Sequence, residues 1–497
     1  MEYEPVIGLE IHAELNTKHK MFCGCLNDPL EEHPNVNVCP VCMGHPGTLP
    51  VINRDAVERI IRIGLALGGE IPTHSQFDRK QYFYPDLPKG YQISQYKYPI
   101  VSGGVLNGVR ITRVHLEEDA GRLAHVETGP ALDAGRPATL VDYNRAGVPL
   151  MELVTEPDIR GSGEARRFAE ELRLLLRYLN VSDADMEKGE MRIEANISLR
   201  PRGTEAFGTK VEIKNINSFR AAEKAIEYEM KRQAQALEAG EKIKQETRGW
   251  DDVKEVTVSQ RSKEEANDYR YFPEPDLPPL ELTLKAGFDI EAMRAALPEL
   301  PWQKRQRFSA LYMLSEKQVY FFVNDPAFAD YFEKAASELR EWFSLSDIEG
   351  LHESTGGQQK VRGLLANYLT SDLQSILAQK SAAIGEILIT PENFAELIKM
   401  VYKNEISSRV AKDVLAIMFS DGSDPSDVVR ERGLAQISGE NDLEDVARKV
   451  IATNAKAVED YKKGKEAALQ ALVGQMMKET KGAANPEVAR GVLTKLL

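Results

Sequence analysis

The chain has 497 residues, 42% hydrophobic and 28% charged, which is too long for a single hydrophobic core and predicts two to four globular domains. No run approaches the roughly 18 apolar residues of a membrane-spanning helix, and the opening MEYEP lacks the features of a secretory signal, so a cytoplasmic, non-membrane protein is expected. A net charge of −14 excludes coating of nucleic acid by bulk electrostatics, so any RNA contact must be local.

In chain order, the first element is a strand. In residues 6–14, Ile7, Leu9, Ile11 and Ala13 share one face while Glu10, His12 and Glu14 share the other. All four cysteines follow, as the close pairs Cys23/Cys25 and Cys39/Cys42 bracketing a loop. Four thiolates suit a closed, structural Zn²⁺ site. Two disulfides are disfavoured in a reducing cytoplasm, and idle thiols would be scattered rather than clustered.

Turn-rich segments such as YPDLPKG at 84–90 break up a strand-rich region that continues to about residue 290. Two helices are predicted inside it. One carries Phe168, Leu172, Leu175, Leu176 and Leu179 at helical spacing; the other runs from an N-cap at Ser218 to Gly240. Between them lies a second alternating strand, with Met191, Ile193, Ala195, Ile197 and Leu199 on one face and Arg192, Glu194, Asn196, Ser198 and Arg200 on the other. A third alternation, Lys210 to Lys214 around Glu212, has the same form.

From about Leu297 the pattern becomes helical throughout, with a softer break at 405–425 around SDGSDP. The last fifty residues, 448–497, carry ten Lys or Arg against five Asp or Glu. Lys462, Lys463, Lys465, Lys478 and Lys481 are candidate phosphate contacts there, although a charged helical run is as readily a solvated face.

Alternation in one strand usually marks an ordinary solvent face. Recurrence in three strands asks for more, because acidic residues are depleted from strands and repel one another without a cation. Carboxylates with His and Lys or Arg on one sheet face suit divalent metal and phosphate. The chain has no G-x-x-x-x-G-K-[ST] loop, G-x-G-x-x-G, H-E-x-x-H or G-x-S-x-G, so metal-held carboxylates would have to position any nucleotide.

These residues lie in long runs that resemble GatB, the B-subunit family of the aspartyl/glutamyl-tRNA amidotransferases, from end to end. The runs are VIGLEIH at 6–12, DRKQYFYPDLPKGYQISQ at 78–95, HLEEDAGR at 115–122, DYNRAGVPLME at 142–152, EANISLRP at 194–201, ETRGW at 246–250 and DYRYFPEPD at 268–276. GQMMK at 474–478 and ANP at 484–486 are similar to the YqeY family.

The resemblance implies an α+β protein. A strand-rich, cradle-shaped catalytic domain (1–292) holding the zinc site would precede an all-α domain (293–407) and a YqeY-like, tRNA-binding helical tail (408–497). It implies a heterotrimer in which an amidase, the A chain, releases ammonia from glutamine and a small C chain ties the assembly together. The present chain would activate the carboxylate of misacylated Glu-tRNA(Gln) or Asp-tRNA(Asn) with ATP. The Ser-Ser-Lys amidase arrangement is missing from it, which agrees with that division. Glu10, His12, Glu118 and Glu152 would hold Mg²⁺, with Glu10, His12 and Glu152 catalytic and Glu194, Glu212, Lys80 and Lys210 joining Glu118 at the nucleotide. Family members often carry Asp where this chain has Glu194. A noncatalytic tRNA-binding scaffold and a free-standing carboxylate–amine ligase remain the alternatives.

Overall fold

A computed structural model describes residues 2–126, 138–262, 269–345, 355–435, 440–480 and 484–497. The chain forms two compact units, Met1–Pro301 and Trp302–Leu497. Among the described residues no helix is long and apolar enough to cross a membrane.

The first unit is built on a nine-stranded sheet: β1 Tyr3–Glu14, β2 Val101–Ser102, β3 Val105–Leu106, β4 Val109–Glu118, β5 Pro149–Thr155, β6 Met191–Pro201, β7 Val211–Ile216, β8 Glu246–Asp251 and β9 Val256–Ser262. The order is β9-β8-β7-β6-β1-β5-β4-β2, with β3 paired to β4, and only β7–β8 is parallel. β1 is therefore central, antiparallel to β5 on one side and β6 on the other.

Alternation separates the two faces as the sequence predicts. Ile7, Leu9, Ile11 and Ala13 of β1 and Met191, Ile193, Ala195 and Ile197 of β6 are at most 1% exposed. Helices α1 (Arg54–Ala66), α2 (Ser162–Tyr178) and α3 (Phe219–Glu238) accompany the sheet, with α2 and α3 packed on each other and α3 against β6 and β7. Phe168, Leu172, Leu175 and Leu176 of α2 are fully buried. The predicted cap of α3 is present: the Ser218 hydroxyl accepts from the Ala221 N–H at 3.0 Å, and Gly240 follows the helix at φ +77°. The short strands Asp78–Gln81, Tyr91–Ser94 and Phe272–Pro273 form a separate small sheet.

Every named element of the second unit is helical. Toward its end the helices Glu440–Thr453, Ala455–Lys462, Glu466–Glu479 and Pro486–Leu496 enclose a small core of Leu443, Ala447, Val450, Leu472, Met476, Ala489, Val492 and Leu493. Leu472 and Met476 thus bury one side of their helix, and Lys462, Lys463, Lys465 and Lys478 stand exposed.

Candidate active site and cysteine centre

Antiparallel register carries side chains of one face across the sheet in rows. His115 of β4 lies opposite Glu152 of β5, which lies opposite His12 of β1, which lies opposite Arg192 of β6. One step along, Glu10 lies opposite Glu194, and Asn196 opposite Glu212 of β7. The three alternating segments of the sequence meet on this polar face.

Two clusters result. In the first, ligand atoms of His12, Glu117 and Glu152 lie within 4.8 Å of one another. His12 Nε2 is 3.4 Å from Glu152 and 3.6 Å from Glu117, and His115 Nε2 is 3.3 Å from Glu152. These separations exceed the about 2.7–2.9 Å of a charge-assisted hydrogen bond. They suit donors arranged about one small ion, since ligands at about 2.1 Å sit about 3–4 Å apart.

Burial would raise the Glu152 pKa, but the charges and contacts of His115 and His12 hold it well below the usual range. Burial alone would depress the His12 imidazole; Glu152, followed by Glu117 and Glu194, outweighs it and holds the pKa up at about 9. Against burial, Lys80 and then His115 lower the Glu117 pKa. Lys80 is itself held protonated against burial, chiefly by Glu117, and lies 5.2 Å from the Tyr269 ring centroid.

In the second cluster, carboxylate oxygens of Glu10, Glu194 and Glu212 lie within 4.8 Å of one another. Asn196 Nδ2 donates to Glu10 at 2.8 Å, Thr247 Oγ1 donates to Glu212 at 2.7 Å, and Lys214 Nζ lies 2.8 Å from Glu194. Burial, then the charges of Glu152 and Glu194, push the Glu10 carboxyl up. Asn196 Oδ1 is buried without a hydrogen-bond partner. Excess negative charge and an orphaned oxygen beside three carboxylates fit a divalent cation, as does the His-and-carboxylate set of the first cluster.

Two placements, those of Glu118 and Lys210, differ from expectation. Glu118 does not join His12 and Glu152; strand parity sends it to the other side of β4, where Lys89 Nζ donates to both its oxygens at 2.6 Å and the Ile93 N–H at 2.9 Å. It lines a cavity of about 230 Å³ with Cys23, Cys42, Arg79 and Lys89. Glu117 stands in the cluster instead, and the signal was available, since His115 and Glu117 share a parity that Glu118 does not. Lys210 is exposed just before β7 and makes no ion pair among the described residues, whereas Lys214 reaches the carboxylates. Glu14 ends β1 against Asp119: burial and then the Asp119 charge raise its pKa to about 9, while Arg192 and Arg145 overcome burial to keep Asp119 ionised.

The four cysteines converge, with all Sγ atoms within 4.8 Å of one another and none in a disulfide. The Cys39 N–H donates to Cys42 Sγ at 3.1 Å, which suits a thiolate held as a metal ligand. The loop is tied to the sheet through Gly147, whose carbonyl accepts from the Met21 N–H at 2.7 Å and whose N–H donates to the Asp119 carbonyl at 2.9 Å. The donor set fits tetrahedral Zn²⁺.

In the tail, Lys463 pairs with Glu459 at 2.6 Å and Lys465 with Asp460 at 3.0 Å. Lys481 lies outside the described residues.

A family model described as the GatB/GatE catalytic domain matches residues 5–286, which defines the class of the first unit, and a second, described as the GatB domain, matches residues 351–497. Curated relatives named as the B chain of aspartyl/glutamyl-tRNA(Asn/Gln) amidotransferase share the whole length: the protein of Gloeothece citriformis is 45% identical over 100% of this chain and 98% of its own. That of Caldanaerobacter subterraneus is 46% identical over 100% of both. That of Carboxydothermus hydrogenoformans is 47% identical over 99% of this chain and 98% of its own. The chain belongs to the GatB family.

The His12 environment sets a pH dependence for the metal-free protein. A pKa raised from 6.5 to about 9 contributes stability that is complete below pH 6.5 and is lost as pH rises through 9. In EDTA, the His12 imidazole is expected to titrate near pH 9 by NMR; a midpoint below 7 contradicts this electrostatic account.

Proposed function

We propose that the chain is the carboxylate-activating component of a tRNA-dependent amidotransferase, a carbon–nitrogen ligase that uses glutamine as its amide source. Its substrates are misacylated Glu-tRNA(Gln), Asp-tRNA(Asn) or both, converted to Gln-tRNA(Gln) and Asn-tRNA(Asn) in the cytoplasm. The observation that carries this reading is the pair of clusters on one face of the central sheet, one of His and carboxylates and one of carboxylates alone, in a chain without a phosphate loop. A free carboxylate resists amine attack. An oxygen of the tRNA-linked carboxylate therefore takes the γ-phosphoryl group of ATP, ADP departs, ammonia adds to the acyl carbon, and phosphate leaves with the former carboxylate oxygen.

His12, Glu117 and Glu152 would hold one Mg²⁺, and Glu10, Glu194 and Glu212 a second. Such ions neutralise phosphate charge and fix its orientation. Lys80 and Arg113, beside Glu117 and Glu152, face the same space and suit phosphate oxygens. A partner amidase supplies ammonia and a small third chain completes a heterotrimer. Cys23, Cys25, Cys39 and Cys42 hold a structural Zn²⁺ and the helical tail carries the tRNA.

Glu152→Ala is expected to lower ATP-dependent amidation at least about a thousandfold, the scale of losing a metal ligand, while partner glutaminase turnover persists. Unaltered amidation by that variant discards the assignment; tRNA binding by the wild type without ATP turnover points to a scaffold.

Elemental analysis is expected to find about one zinc per chain, the capacity of a single four-thiolate site. Near-zero zinc, with all four thiols alkylated in the folded state, rules the metal out.

Reversing Lys462, Lys463 and Lys465 to Glu is expected to raise the KM for misacylated tRNA about tenfold or more and to flatten its salt dependence. An unchanged salt slope makes the run a solvated face.

A further inference from the structure

One cation of the polar face, Lys214, is neither a metal ligand nor one of the phosphate-facing groups Lys80 and Arg113. It follows Glu212 by two residues on β7 and so shares its face, and the register that pairs Asn196 with Glu212 and Ala195 with Ile213 runs on toward Lys214 and Glu194. The pairing with β6 is irregular here: Ala195 lies opposite Ile213 but Ile193 lies opposite Ile216, so two steps on β6 meet three on β7. The surplus residue is a β-bulge at Lys214 and Asn215, across from Glu194, with Asn215 at φ +62°. Asparagine tolerates that left-handed backbone better than most residues. A bulge interrupts the ladder and re-aims a side chain. Lys214 itself keeps the face of Glu212 and lies across from Glu194, with its Nζ 2.8 Å from Glu194 and 3.6 Å from Glu212.

The same carboxylates form the second cluster with Glu10, and the buried Asn196 Oδ1 beside them has no partner. One ammonium thus balances part of a donor set built for more positive charge. It is also 38% exposed, on a flexible four-carbon stem, and can turn outward without unpacking a core.

We propose that Lys214 is a built-in counter-ion of the Glu10, Glu194 and Glu212 cluster, which gives up these oxygens to a divalent cation and takes its ammonium to a phosphate oxygen of the bound nucleotide. This rests on the metal-and-nucleotide reading and adds to it a competition. An ammonium and a divalent ion repel each other at one carboxylate, so each weakens the other's hold. A nucleotide phosphate beside the cluster removes the conflict, because it gives the displaced ammonium an anion of its own.

The test is Mn²⁺ binding to the nucleotide-free full chain by electron paramagnetic resonance, with Mg·ADP binding by calorimetry, for wild type, Lys214→Met, Lys214→Arg and Glu194→Gln. Lys214→Met is expected to bind Mn²⁺ about tenfold more tightly and Mg·ADP about tenfold more weakly, the scale of changing a residue that contacts metal ligands. Lys214→Arg, which keeps the charge, should stay near wild type in both. Misfolding would weaken both, so opposite signs mark the proposed role. Unchanged or weaker Mn²⁺ binding by Lys214→Met overturns the counter-ion, and unchanged Mg·ADP binding overturns the phosphate contact. If Glu194→Gln leaves Mn²⁺ binding unaltered, the metal reading of the cluster fails instead.

Discussion

Carboxylates crowded on a half-buried surface repel one another, and the architecture of the first unit depends on how that repulsion is contained. Glu10, Glu117, Glu152, Glu194 and Glu212 project from five adjacent strands of the sheet. His12, His115, Lys80, Arg113 and Lys214 are interleaved with them at contact distance or by near approach. The backbone enforces the arrangement. A one-residue slip of β1 would turn Ile7, Leu9 and Ile11 outward and bury Glu10 and His12, so the hydrophobic face that stabilises the sheet also fixes the register of the charged face. The chain tolerates the residual repulsion at Glu10 because the packing behind it holds the strand in place.

That coupling decides what could be read without coordinates. Period-two alternation revealed the faces of β1 and β6 because a buried strand face admits only apolar side chains, and helical spacing with a Ser218 cap revealed α2 and α3 for similar reasons. Parity, applied to β4, would also have selected Glu117 over Glu118. Lys214 was less accessible. Its contact with Glu194 depends on the pairing of two strands, and neither strand announces the other's register. Lys210 and Lys214 have the same parity, so alternation alone could not choose between them. The cysteine cluster was legible from spacing because both pairs are local, but its attachment through Gly147 to the end of β4 comes from chain pairing over more than a hundred residues.

The second unit inverts this relation between charge and packing. Its final helices bury Leu472 and Met476 in a small core and leave their lysines in water, where composition gives a surplus but neighbours reduce it. The pairs Lys463–Glu459 and Lys465–Asp460 lie at the surface, with Asp460 half-buried and the other three groups exposed, so each is worth only about 0–1 kcal/mol and is further weakened by salt. A polyanion that offers several phosphates at once can exchange for those carboxylates at little cost. The buried pair Lys89–Glu118 cannot exchange so cheaply: both groups are desolvated, and separating them would leave a buried charge unmatched. Fixed charge such as the Lys89–Glu118 pair, with half-exposed Lys214 able to change partners, and exchangeable charge in the second unit fit the two tasks proposed for them. Phosphoryl transfer needs a frame that is set before the transition state, whereas holding an RNA by its backbone needs cations that can leave one partner for another.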